Sequence, residues 1–160
     1  MSIYLGIDNG LAGGLVWLNI SGEIIRKEVM PVRDNGKNRL VDARTLAKLL
    51  TAEPSVRVVA EIAAKFSPGK MALCSTWHSW GIVQATLELT QVRWEPVDAQ
   101  RWQKIMLPGR KTGETKAAAL ETARRLWPSE TFLATGRSCK PHDGWIDAAL
   151  IAEYARRGNL

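Results

Sequence analysis

The sequence predicts an α/β fold: a five-stranded mixed sheet, three antiparallel strands and then parallel strands, flanked by helices. Three observations predict it. The first third of the chain opens with three apolar, β-rich runs joined by tight turn signals, the pattern of an antiparallel meander. Two later β-branched runs alternate with segments of helical apolar spacing, and a helix between two strands implies that those strands run parallel. The chain has 160 residues, 46% hydrophobic and 24% charged, which suits a single domain over residues 1–160 with a full core.

The elements follow in order. Ser2 to Asp8 is a run of β-formers ending in an acid. Asn9-Gly10 signals a turn, Gly13-Gly14 follows, and Leu15 to Ile20 reads as the second strand. Ser21-Gly22 turns the chain into a third strand over Glu23 to Val32, and Asp34 to Lys37 is a polar loop. Val41, Leu46, Leu49 and Leu50 recur at helical spacing with Asp42 near the start, which predicts a helix over Val41 to Leu50. Val56 to Glu61 is a β-branched run ending in a second acid and reads as a buried strand. After Pro68-Gly69, no charged residue occurs from Met71 to Leu87. A helix over Met71 to Leu89 with no charge before Glu88 is expected to be buried on most of its surface, against the sheet and against a second subunit.

Val92 to Val97 reads as the fifth strand. Asp98 is placed to N-cap a short helix over Ala99 to Met106. Pro108 to Gly113 is a basic loop, and Thr115 to Trp127 is a helix stopped by Pro128. Thr131 to Pro141 is irregular. His142 to Arg157 is the last helix, with Ala148, Leu150, Ile151 and Tyr154 on its apolar side.

Charge points to a polyanion. The net charge is +6 and the pI about 9.6. From Lys104 to Lys140 eight basic residues (Lys104, Arg110, Lys111, Lys116, Arg124, Arg125, Arg137 and Lys140) face three glutamates, so this segment carries +5 of the +6. Such clustering fits contact with a phosphate backbone, with a solvated helix face as the alternative. No apolar run reaches the roughly 20 residues of a membrane span. The start of the chain has neither a basic n-region nor a small-residue cleavage site, so no secretory signal is expected. Cys74 and Cys139 form no CxxC pair and no metal-type spacing, and read as reduced thiols of a cytoplasmic-type compartment.

Four acids carry the chemistry. Asp8 ends the first strand and Glu61 the fourth, at the rim of the core, where an unpaired charge is costly. Asp143 and Asp147 stand four apart at the start of the last helix, one turn and about 6 Å from each other. Each has a bland alternative: an Asx turn for Asp8, an ion pair with Lys65 for Glu61, a favourable helix N-terminal position for Asp143. Taken together they suit two divalent ions about 3.5–4 Å apart, which activate water and stabilise a leaving oxygen in phosphodiester cleavage. An all-oxygen set without a His/Cys cluster favours Mg²⁺, or Mn²⁺, over Zn²⁺.

The motifs GIDNG, VVAE, FSPGKMA and KPHDGWIDAALIAEYARR resemble the RuvC-like Holliday junction resolvases, most of all the phage, organellar and poxvirus-like branch. The resemblance implies an RNase H-like nuclease domain, a homodimer, and cutting of four-way DNA junctions by paired symmetric nicks. It implies no small-molecule cofactor, and a reducing, non-secreted setting in an organelle or a phage-infected bacterium. Asp8, Glu61, Asp143 and Asp147 match the family's four metal-binding acids, with Asp8 expected to bridge both ions. Some relatives use a histidine in the third position, which makes His142 a candidate secondary ligand or proton shuttle. Lys104, Arg110, Lys111 and Lys116 are the candidate phosphate contacts, and Lys116 is also placed to stabilise charge developing at the phosphate. One departure stands out. Bacterial members carry a polar residue directly after the strand-end Glu and a junction-wedging aromatic three residues on; here those places hold Ile62 and Ala64. Phe66 is the nearest aromatic, a DNA-contact candidate with core packing as the alternative.

Of the tryptophans, Trp77 and Trp80 are expected in the core or a dimer interface. Trp102 and Trp127 are expected to pack rather than stack on bases, and Trp145 to shield the acids or touch DNA. Three rival readings remain at this level. An RNase H-fold nuclease could act on other branched or hybrid nucleic acids. A small actin-like or sugar-kinase ATPase domain would also open with a strand, Asp and Gly, although such enzymes need two lobes. A non-catalytic DNA-binding module would gain nothing from an acidic cleft.

Overall fold

A computed structural model describes residues 2–34, 36, 38–66, 69–135 and 139–160. Strands β1 (Ile3–Asp8), β2 (Gly14–Leu18) and β3 (Ile24–Val29) form the antiparallel meander. Strands β6 (Val56–Glu61) and β7 (Arg93–Val97) extend the sheet in parallel from β1, giving the order β3-β2-β1-β6-β7. The predicted five-stranded mixed sheet is thus observed.

Between them lies a feature that was not predicted. The third strand stops at Val29, and β4 (Val32–Asp34) pairs with β5 (Arg39–Val41) as a separate two-stranded ribbon. Pro31 lies between β3 and β4 and cannot donate to a ladder, but its carbonyl accepts from Asp42 N–H. Val41 therefore belongs to β5. Helix α1 (Ala43–Thr51) begins two residues later, capped by Asp42, whose side chain accepts from the amides of Arg44 and Thr45. Asp34 closes β4, while Asn35 and Lys37 of the predicted loop lie outside the described residues.

Helices α2 (Lys70–Thr90), α3 (Ala99–Met106), α4 (Thr115–Leu126) and α5 (Asp143–Gly158) complete the fold. Period-2 alternation sends the side chains of each strand to two cores. Leu5, Ile7, Leu15, Trp17, Val58 and Ala60 share a cluster with Leu46 and Leu50 of α1 and with Trp80, Val83 and Leu87 of α2. Tyr4, Val16, Leu18 and Val59 share the other with Trp102 of α3, Ala119 and Ala123 of α4, and most of α5. Asp8 and Glu61 continue the second alternation, so both belong to the α5 side.

Helix α2 is expected to be covered by the sheet and by a second subunit, and within the chain its covering is partial. It buries Ser79, Trp80, Val83, Thr86 and Leu87, but Met71, Trp77 and Leu89 are 82%, 43% and 84% exposed. Only one face of this helix, whose charged residues Lys70 and Glu88 stand near its two ends, is covered within the chain. Trp80 meets Trp94 edge to face. Among the described residues, no helix is long and apolar enough to cross a membrane.

Candidate active site

Two strand ends and one helix start meet at one edge of the sheet. β1 and β6 are parallel, with Ile7 opposite Ala60, so Asp8 and Glu61 leave the sheet side by side. α5 is brought against them by glycines. A Cβ on Gly6 would lie 2.0 Å from the Ala148 carbonyl oxygen, and one on Gly144 would lie 2.6 Å from the Gly13 carbonyl carbon. These positions need glycine for backbone-to-backbone approach rather than for a turn. The helix start is set by His142, whose Nδ1 accepts from the Trp145 amide at 3.2 Å. This cap carries Asp143 and, one turn on, Asp147 to the sheet edge.

The electrostatics show the convergence. Burial first, then the Asp8 charge, pushes the Glu61 carboxyl up to about 8; the Trp102 indole N–H opposes this by favouring the charged form. Burial, then Asp8 and Asp143, pushes Asp147 up to about 7. Burial raises Asp8 to about 6, opposed by the Gly10 amide and aided by Asp143. Asp143 is the exposed member, and Lys116 Nζ meets its Oδ2 at 2.6 Å. Three half-buried carboxylates thus repel one another, with Lys116 at their rim. Among the described residues, no group of three or more His, Cys, Asp or Glu side chains stands arranged to hold one metal ion. The donor set nonetheless fits a hard divalent cation: it is all carboxylate oxygen, its negative charge is under-compensated, and each member feels another.

The bland alternatives fare differently. Asp8 does accept from Gly10 N–H, at a long 3.4 Å, so it closes the turn as well as joining the cluster. Lys65 does not pair with Glu61; it lies 3.8 Å from Asp98. Asp98 occupies the N-cap position of α3 without a side-chain cap bond. Phe66 is 91% exposed, which removes core packing as its role. It lines a groove of about 570 Å³ with Ile62–Lys65, Asp98–Arg101 and Lys104. Lys104 also borders a second depression of about 440 Å³ with Gln100, Leu107, Gly109, Arg110 and Thr112. Arg110 donates to Thr115 Oγ1 at 3.0 Å, near the start of α4, and Lys111 is exposed. His142 serves as the α5 cap and lies against Trp145, with ring centroids 5.1 Å apart. Trp145 is buried against Gly14. Ser67 and Pro68 of FSPGKMA, and Arg137 of the basic segment, lie outside the described residues.

Two neighbours of the acids escaped the sequence reading. Asn9 is buried, and its Nδ2 donates to the Glu61 carbonyl at 2.5 Å, tying the end of β1 to the end of β6. Trp102 is fully buried, and its Nε1 donates to Glu61 Oε2 at 2.5 Å. Asn9 had a signal, since it adjoins Asp8, but Asn-Gly reads as a turn. Trp102 had none, being 41 residues away.

No protein-family model and no curated protein sequence matches the chain. Solved structures do. RuvC of T. thermophilus in complex with a Holliday junction substrate matches with a TM-score of 0.66 at 15% identity, over 99% of this chain and 96% of that one. A second Thermus thermophilus RuvC structure matches with the same TM-score and identity, over 98% of this chain and 96% of that one. The fold is that of RuvC, an RNase H-like mixed sheet flanked by helices.

Proposed function

We propose that this chain is a divalent-metal-dependent endonuclease that resolves four-way DNA junctions. The observation that carries the reading is the meeting of Asp8, Glu61, Asp143 and Asp147 at one edge of the sheet, in a fold shared with a resolvase solved on its junction. Asp8, Glu61 and Asp147, with Asp143 at the rim, would hold two Mg²⁺ ions, with Mn²⁺ as a substitute. Bound there, the ions supply an activated water and charge neutralisation at the leaving oxygen. Lys116 pairs with Asp143 and is exposed, and from there it would set a cation beside the scissile phosphate. Lys104, Arg110 and Lys111 hold the backbone of the arms and set its register. Phe66, exposed at the groove it shares with Ile62 and Lys104, would stack on bases at the crossover.

Paired nicks need two sites. The uncovered face of α2, with Met71, Trp77 and Leu89, is the surface proposed to meet a second copy across a two-fold axis, matching the pseudo-symmetry of the junction. The test is incubation with a mobile four-way junction, a linear duplex and an RNA/DNA hybrid, each with and without Mg²⁺. Mg²⁺-dependent, symmetric nicking of the junction alone is expected. Cutting of the hybrid in preference would assign another substrate, and no cutting with Mg²⁺ would overturn the reading.

A further inference from the structure

Glu61 is gripped at two points. Its carbonyl accepts from Asn9 Nδ2, and its carboxylate Oε2 accepts from Trp102 Nε1. The second contact crosses between elements. Trp102 lies on α3, which follows directly from β7. The end of β7 is tied to the residue after Glu61, where Ile62 N–H donates to the Val97 carbonyl at 2.9 Å. The indole ring is fully buried in the α5-side core that also holds Val97, Met106 and Ala149, so packing keeps it against its partner.

An indole N–H donates and never accepts, so it can neither bind a cation nor carry a proton away. Its effect on a carboxylate is to occupy one oxygen and fix the plane of the group. Other tryptophans here show that this bond is not imposed by burial. Trp127 gives its N–H to the Gly22 carbonyl, while Trp17 and Trp145 keep theirs without a protein partner.

Resting on the nuclease reading above, we propose that Trp102 is a positioning residue for Glu61. Its buried N–H holds Oε2 and presents Glu61 to a divalent cation through the remaining oxygen. Partners that orient a ligand in this way typically control metal affinity by about ten- to a hundredfold.

The test uses the intact chain without DNA, so that metal uptake is read apart from cleavage. Trp102→Phe keeps most of the ring and deletes the N–H. Calorimetry should show Mn²⁺ binding weakened by about ten- to a hundredfold. Trp127→Phe deletes another buried, bonded N–H, remote from the acids, and should lower stability while leaving Mn²⁺ affinity at the wild-type level. In the wild-type chain, with ¹⁵N-labelled tryptophan, the Trp102 indole resonance should shift as Mg²⁺ is added. That arm decides the matter if Trp102→Phe does not fold. A folded Trp102→Phe protein with wild-type Mn²⁺ affinity would overturn the proposal, as would a Trp102 indole signal unmoved by Mg²⁺. Wild-type protein that takes up no Mn²⁺ would overturn the metal-dependent reading itself, and this inference with it.

Discussion

Glu61→Gln should make the metal-free protein more stable at neutral pH while removing its proposed cleavage. The folded protein holds the Glu61 carboxyl near 8, against an ordinary 4.5. At pH 7 the unfolded chain therefore carries an ionised Glu61 that the folded protein mostly keeps protonated. Between those two values the folded state binds more protons than the unfolded state, so wild-type stability falls as pH rises through that window. The penalty works out to about 3 kcal/mol at pH 7 and about 1 kcal/mol at pH 5. Glutamine has no charge to lose, and its Oε1 can still accept from Trp102. For a chain of this length, the melting temperature in EDTA should rise by about 6–12 °C at pH 7 and about 2–4 °C at pH 5. The assay is a pair of thermal melts followed by circular dichroism. Added Mg²⁺ at pH 7 should narrow the gap, because a cation relieves the same repulsion in the wild type. No gain at pH 7, or a gain independent of pH, would refute the picture of a charge-strained carboxylate cluster.

Three further outcomes follow from the same structure. Gly6→Ala would drive a methyl group into the Ala148 carbonyl, so α5 must lift from β1; a loss of about 1–3 kcal/mol in chemical denaturation is expected, with loss of junction cleavage because α5 carries Asp143 and Asp147. Lys104→Ala and Lys111→Ala should weaken junction binding without sequence preference, each lowering the slope of log K against log salt by about 0.9 per lost phosphate contact in filter-binding titrations. Trp77→Glu places a charge on the open face of α2 and should weaken self-association more than about tenfold by sedimentation equilibrium; a wild-type monomer at micromolar concentration would remove the dimer from the account.

Much of this fold was readable in advance, and the reasons are local. Val56–Glu61 is a compact β-branched run, and its observed bounds match the reading. Asp8 and Glu61 stood out because acids end apolar strands, where burial makes a lone charge expensive. What was not readable depends on contacts between distant segments. Gly6 looks like an ordinary strand residue until the α5 backbone lies on it, more than 140 positions later. The β4–β5 ribbon rests on three-residue strands, too short for a period to show. In α2, the lack of charge from Met71 to Leu87 pointed to burial against the sheet and a second subunit; the chain itself covers one face, and a run without charge does not say which side chains face which neighbour. Trp102 was correctly expected to pack, yet its one polar atom reaches Glu61, and composition says nothing of where an N–H points.

The claim on which the rest depends is that these carboxylates share a cation site. Crystals of the full chain soaked in Mn²⁺ and measured for anomalous scattering would test it most directly. The account predicts peaks bounded by Asp8, Glu61 and Asp147, with Asp143 released from Lys116 toward the metal. Data with no peak there, or with manganese only at scattered surface acids, would contradict it.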